Sequence, residues 1–174
     1  LRASDDPVAA AKLSVAKEQS SLLSQFQRNI DAAETRLNVT DHTLQEGVNV
    51  LVRLSELSTM ARNGALNAEG HLAISTEMEQ LKEVLLSLAN TTDANGVGIF
   101  SGYNAVSRPF EMAVDGDVTY LGNRGQNNLQ ISENMTVATN IDGGSAFMRI
   151  DANGTRQSIF DIVNSTINTV KSAS

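Results

Sequence analysis

Apolar residues recur every seven positions along the first third of the chain. Leu23, Ile30, Leu37, Leu44 and Leu51 form one row; Phe26, Ala33, Thr40, Gly47, Leu54 and Ala61 form a second, three places behind. A repeat of seven holds one seam of a helix against a partner and drives left-handed supercoiling. Both rows lie in a run from about residue 6 to 63 that has no proline after Pro7. Such a run predicts one helix roughly 85 Å long at 1.5 Å per residue, a length that suits a rod and not a compact enzyme core. Thr40 and Gly47 are small, so the partner is expected to approach closely there. Further on, Val48, Val50, Leu51, Val52, Leu54 and Leu57 leave little polar face, which predicts burial by two neighbours. Most of the stripe is therefore expected to be core within the chain. Only the part up to about Ile30 is expected to face another molecule.

Asn63-Gly64 and Gly70 are helix-stop residues and break the pattern. Ile74, Met78, Leu81, Leu85 and Leu88 then step by four and three, which predicts a second helix over 71–93. Glu77, Glu79, Lys82 and Glu83 fall mostly on its other side. The short connection implies an antiparallel pair. From about residue 97 the period changes to two. Residues 112–114 and 118–120 flank Asp115-Gly116, a hairpin signal. Leu129 alternates with Ile131 and Met135 with Val137, and 147–150 reads as another strand. Turns are expected at Gly122-Asn123, Gly143-Gly144 and Asn153-Gly154. From Thr155 the helical period returns, with Ile159, Phe160, Val163, Ile167 and Val170 on one face of a helix too short to stand alone. The expected fold is α+β: a long helical rod of two N-terminal helices plus a returning C-terminal helix, carrying a small antiparallel β domain. The boundaries expected are 1–103 for the N-terminal rod, 104–154 for the β domain and 155–174 for the returning helix. Both ends of the chain are expected at the same end of the rod.

Composition narrows the function classes. A net charge of −7 opposes nucleic acid and anionic membrane surfaces, both of which call for a basic face. The absence of cysteine excludes disulfides, thiolate metal sites and thiol catalysis. No 18-residue apolar run exists to span a bilayer. The two histidines, His42 and His71, lack a second ligand at metal spacing and are expected to be partly exposed helix-surface residues. No G-x-S-x-G turn is present. Gly96-Val97-Gly98 with Gly102 follows a helix and lacks the Lys-Ser/Thr of a phosphate loop. Asp93-Ala94-Asn95-Gly96 and Asp151-Ala152-Asn153-Gly154 lack the remaining ligands of a calcium loop and read as turns. No catalytic, cofactor or metal site is expected.

The motifs in order resemble a known family. Ser4-Asp5-Asp6-Pro7-Val8-Ala9-Ala10-Ala11 combines helix-capping aspartates with a first-turn proline. Later come Leu85-Leu86-Ser87-Leu88-Ala89-Asn90, Ile99-Phe100-Ser101-Gly102-Tyr103 and Pro109-Phe110. Tyr120-Leu121-Gly122-Asn123-Arg124-Gly125-Gln126, Thr136-Val137-Ala138-Thr139-Asn140 and Phe147 follow. The series resembles the hook–filament junction proteins of the bacterial flagellum (FlgL type), within the flagellin superfamily, over nearly the whole chain. Ala3 stands where the family usually has Pro, and Asn123 where it usually has Asp.

The resemblance implies an extracellular structural protein, exported by the flagellar secretion apparatus and placed between hook and filament. Implied partners are the hook-side junction protein, flagellin and copies of itself in a ring. It further implies helical assembly segments before Leu1 and after Ser174, so this stretch alone is expected to be monomeric. Flagellin is the nearest alternative. Flagellins usually carry Phe-Asn-Gly-Lys where this chain has Phe100-Ser101-Gly102-Tyr103. Alternatives from other classes are a coiled-coil scaffold module, a helical enzyme and a β-domain adhesin on a stalk.

Overall fold

The computed structural model describes residues 7–63, 66–152 and 154–172. Two helices, three β-hairpins and a final helix follow one another in an α+β chain. Helix α1 runs Pro7–Ala61, α2 Ala68–Ala89 and α3 Ile159–Ser172. Strands β1 (Phe110–Met112) and β2 (Val118–Tyr120), β3 (Asn128–Ser132) and β4 (Met135–Ala138), and β5 (Ile150–Ala152) and β6 (Thr155–Gln157) form three separate antiparallel pairs. Where the sequence pattern suggested one β unit, the strands are too short and too often interrupted by glycine turns to join into a single sheet.

Helix α2 starts at Asn67, whose Oδ1 accepts the Gly70 N–H at 2.9 Å, satisfying one of the free donors of the first turn. It lies antiparallel to α1, as two ion pairs show: Arg53 meets Glu77 at one end and Arg36 meets Asp93 at the other. Helix α3 packs on both, with its Asn164 accepting from Lys82 at 2.7 Å and its Lys171 paired with Glu79. It therefore runs antiparallel to α2 and parallel to the C-terminal part of α1.

The centre of the α1 seam is the second row. Phe26, Ala33, Thr40, Gly47, Leu54 and Ala61 are all buried, and so is the column Thr43, Val50 and Leu57 three places on. The larger residues Ile30, Leu37, Leu44 and Leu51 only flank it, half-buried. At its middle the row is small, with Thr40 and Gly47 buried against α2. A Cβ on Gly47 would lie 3.8 Å from Leu85 Cδ1, in ordinary contact.

Several expectations are corrected. Val48 and Val52 are about half exposed, because α2 and α3 cover adjacent sectors of α1 and leave its far side open. Lys82 is buried where the sequence put it on the polar face, since α3 and the β1–β2 turn close over it: Asn164 bridges its Nζ to Gly116 O, accepting at 2.7 Å and donating at 2.9 Å. Residues 144–148 form one π-helical turn and not a strand. Asp142 caps it, accepting from the Ser145 N–H and hydroxyl at 2.8 and 2.7 Å. Thr155–Gln157 is a strand, so the last helix begins only at Ile159. The two ends of the described chain also lie apart. Ser172 ends beside the α1–α2 connection, whereas Pro7 lies about 80 Å away along α1 by the rise per residue.

Leu57→Ala empties a fully enclosed site and is expected to cost about 2–5 kcal/mol. Leu23→Ala, at an exposed site, is expected to stay within about 0.5 kcal/mol. Urea unfolding of both variants checks this, and equal losses would place the seam elsewhere.

Candidate assembly surface and aromatic junction

Helix α1 is covered along only part of its length. Every residue from 11 to 25 is exposed, and Phe26 is the first fully buried side chain. Leu13, Val15 and Leu23 are more than half exposed, as is Val8, and Leu22 is 38% exposed. Val8, Val15 and Leu22 continue, in sevens, the column that becomes Thr43, Val50 and Leu57 under α2. The apolar face therefore extends past its intramolecular partner into solvent. A helix of this length is marginal in water when it stands alone, and residues 11–25 make up about a quarter of the 55-residue α1. At its inner end Leu22, Leu23, Phe26 and Ile30 face Ile131 at the tip of the β3–β4 hairpin, and Asn29 Nδ2 donates to Gln130 O at 2.6 Å.

The remaining seam residues fall on both partners of α1. Ile74, Met78 and Leu85 on α2 and Phe160, Val163 and Ile167 on α3 are buried in one continuous core with Val50, Leu54 and Leu57. Leu81 and Leu88 are half-buried beside it, as are Leu44 and Leu51. Leu37 is half-buried on α1.

That core does not stop where the helices end. Four of the five phenylalanines of the chain converge at the base of the hairpins. The Phe110 ring lies 5.4 Å from Phe147, 5.9 Å from Phe160 and 5.0 Å from Tyr120, and Phe100 stands edge-on to Phe147 at 5.1 Å. Edge-to-face packing at these distances adds to the area buried. Asn90, just past the end of α2, fixes the approach: its side chain accepts from Phe110 N and donates to Phe110 O, both at 2.9 Å. An asparagine here replaces a neighbouring strand.

Around the aromatics, backbone is tied by side chains. Tyr120 Oη donates to Phe100 O at 2.7 Å and accepts the Gly143 N–H at 3.2 Å. Asn123 Oδ1 accepts from the amides of Tyr103 and Gly125 at 2.7 and 3.0 Å. Buried Asn140 accepts the Asn127 N–H at 2.6 Å and donates to Gly125 O at 3.1 Å. Gly102 has φ of +72°, and a Cβ there would lie 2.1 Å from Asn123 O, so only glycine fits. The motif residues thus have distinct places. Phe100, Ser101, Pro109 and Phe110 are fully enclosed, Gly102 sits at the turn, and Tyr103 is 64% exposed with its ring against Gly125. Ser4, Asp5 and Asp6 lie outside the described residues.

The titratable groups do not converge. His42 is exposed on α1, but His71 is only 7% exposed, with an Nδ1 that has no hydrogen-bond partner. The expectation of partial exposure is corrected because α3 packs across the first turn of α2. No three His, Asp or Glu side chains gather as a metal site among the described residues. The Asn90, Asn123 and Asn140 ties escaped sequence reasoning. Their signal is an asparagine next to an extended segment, which is common in any turn-rich chain.

With this geometry the comparisons with known proteins are specific. Residues 1–105 match the family described as bacterial flagellin N-terminal helical region. The chain belongs to the flagellin superfamily. This flagellin-superfamily chain is 27% identical over 150 residues to flagellar hook-associated protein 3 of Salmonella typhimurium, across 86% of this chain and 46% of that protein. It is 32% identical to the crystal structure of flagellar hook-associated protein-3 from Legionella pneumophila, with a TM-score of 0.75 over 79% of this chain and 42% of that one. A hook-associated protein structure from Vibrio parahaemolyticus superposes with a TM-score of 0.87 over 99% of this chain and 75% of that one. At 21% identity this last likeness shows the fold alone. The chain spans less than half the length of the first two relatives.

Burial pushes the Tyr120 hydroxyl above the usual tyrosine value near 10, and the Asp142 carboxylate adds to this; the Gly143 and Gly144 amides and Arg149 partly oppose it. Because the folded value is raised, its contribution to stability is present below pH 10 and is lost as pH rises through the folded value. Ultraviolet titration is expected to show Tyr120 ionising above the usual tyrosine value. Tyr120→Phe should remove that late step and lower the melting temperature near pH 7. Absence of a late step that Tyr120→Phe removes would contradict the buried hydrogen bond.

Proposed function

We propose that this chain belongs to an axial junction protein connecting the hook of a bacterial flagellum to its filament. The observation that carries the reading is the 150-residue match to a hook-associated protein. That match is too long to fit within the shared N-terminal helical region at 1–105, so it reaches into the hairpins. The role is mechanical, with no catalytic step. The exposed N-terminal part of α1 packs beside neighbouring subunits, the three-helix core carries load, and the hairpins project outward. Copies of the chain, the hook-side junction protein and flagellin are the partners. A ring or helical stack of identical subunits uses head-to-tail contacts, and such a ring adapts a flexible hook lattice to a rigid filament lattice. The protein acts outside the cell, after export by the flagellar apparatus.

The chain by itself is expected to be a monomer, because one exposed helix face of this size gives little area for a stable interface. Sedimentation velocity at micromolar concentration checks this, and a stable oligomer would contradict it. Deleting the whole gene is expected to leave bare hooks, with flagellin shed into the medium, by electron microscopy and immunoblotting. Bare hooks without flagellin would make this the filament subunit. Normal filaments would overturn the flagellar role.

A further inference from the structure

The tetrapeptide Asp-Ala-Asn-Gly occurs twice, at 93–96 and at 151–154. The assembly role uses neither copy. An Asn-Gly unit can close on itself: the glycine nitrogen gives up its proton and attacks the asparagine side-chain carbon Cγ. Ammonia leaves, a five-membered succinimide remains, and water opens it to aspartate or isoaspartate. Glycine has no side chain to obstruct the attack. Up to the reacting pair the two copies have the same sequence, so a difference between them comes from the fold. In the first copy the nucleophile is tied down. The Gly96 N–H donates to Asp93 O at 2.9 Å. Asp93 Oδ1 accepts from the Asn95 and Val97 amides at 2.9 and 3.1 Å, and the Asp93 N–H donates to Val97 O at 2.8 Å. To attack, the Gly96 nitrogen has to give up its bond and turn within this clamp.

The two Asp-Gly units, which close the same ring, are held in the same way. The Gly116 N–H donates to Ala113 O at 3.0 Å and the Gly143 N–H to Phe100 O at 2.9 Å. Gly154 differs. It stands between β5 and β6 with φ of +80°, and its N–H donates to nothing among the described residues. Asp151 and Thr155 beside it are exposed. Asn153 itself lies outside the described residues, but the reaction needs only its Cγ and the Gly154 nitrogen, which the covalent chain keeps adjacent. A Cβ on Gly96 or on Gly154 would meet nothing within 4 Å, so the hydrogen bond, and not access, separates the two copies.

We propose that Asn153 is a site of spontaneous deamidation, with water as the sole co-reactant, and that the fold protects its sequence twin Asn95. The isoaspartyl product lengthens the main chain by one carbon and puts a carboxylate where an amide stood. The β5–β6 ladder holds only three residue pairs, closed at the turn by Ala152 opposite Thr155. The change therefore loosens this hairpin and leaves the three-helix core in place.

The test holds the intact 174-residue chain for days in mildly alkaline buffer made with heavy-oxygen water, native and in concentrated urea. Peptide mass spectrometry follows the heavy oxygen taken up at each asparagine, and an isoaspartate-specific methyltransferase measures the rearranged product. In the native chain Asn153 is expected to convert about tenfold faster than Asn95, the difference that one amide hydrogen bond makes. In urea the two should convert at similar rates, because their sequences match. Asn153→Gln, whose side chain is one carbon too long for the five-membered ring, should abolish the isoaspartate of this hairpin. Equal rates at Asn95 and Asn153 in the native chain would overturn the proposal. So would no conversion at Asn153, or a difference that urea leaves intact.

Discussion

Helices α1 and α2 are held together by one buried row of α1, small at its middle (Thr40, Gly47) and part of the apolar core at Leu54 and Ala61. Thr40 and Gly47 bring the helix axes together, and Leu54, Leu57 and Ala61 then bury against Ile74 and Met78. Everything else is placed by that approach. It sets the angle at which α2 ends, hence where Asn90 stands and where Phe110 enters. It also opens the slot between the two helices that α3 fills with Phe160, Val163 and Ile167. Dispersion and burial act over the whole seam, while the surface ion pair of Arg53 with Glu77 adds little.

The aromatic base turns this seam into a mechanical joint. Short hairpins are weak alone, since two strands bury little apolar surface. Here each is anchored at its root: β1–β2 by Phe110 and Val118, the segment after β4 by Asn140, and the π-helical turn by Phe147. The core is continuous from Ala61 to Phe147. Helices and hairpins are therefore joined through packed side chains and not through a flexible linker. The uncovered N-terminal part of α1 has no such support.

Much of the helical architecture is legible in the sequence because a period of seven or of 3.6 persists over many residues. The length of α1, its break near Asn63 and the Asp115-Gly116 hairpin all follow from local rules. Which heptad row lies at the centre is not legible: hydrophobicity favours the leucines, but the approach of α2 favours the small residues, and approach is a tertiary property. The same limit hides Lys82, whose burial depends on α3 arriving from 80 residues away. Residues 147–150 look like a strand because Phe147, Met148 and Ile150 are apolar, yet Phe147 and Met148 belong to the π-helical turn that Asp142 holds through Ser145, and the strand begins only at Ile150. Asparagines that stand in for strand neighbours carry no periodic signal.

Amide hydrogen exchange along α1 tests most directly the claim that one continuous helix is supported along only part of its length. The seam from Thr40 to Ala61 should exchange only on global unfolding, and residues 8–22 should exchange orders of magnitude faster by local opening. Uniform slow exchange along the whole helix would contradict the account, because the exposed N-terminal part would then need no partner to be stable.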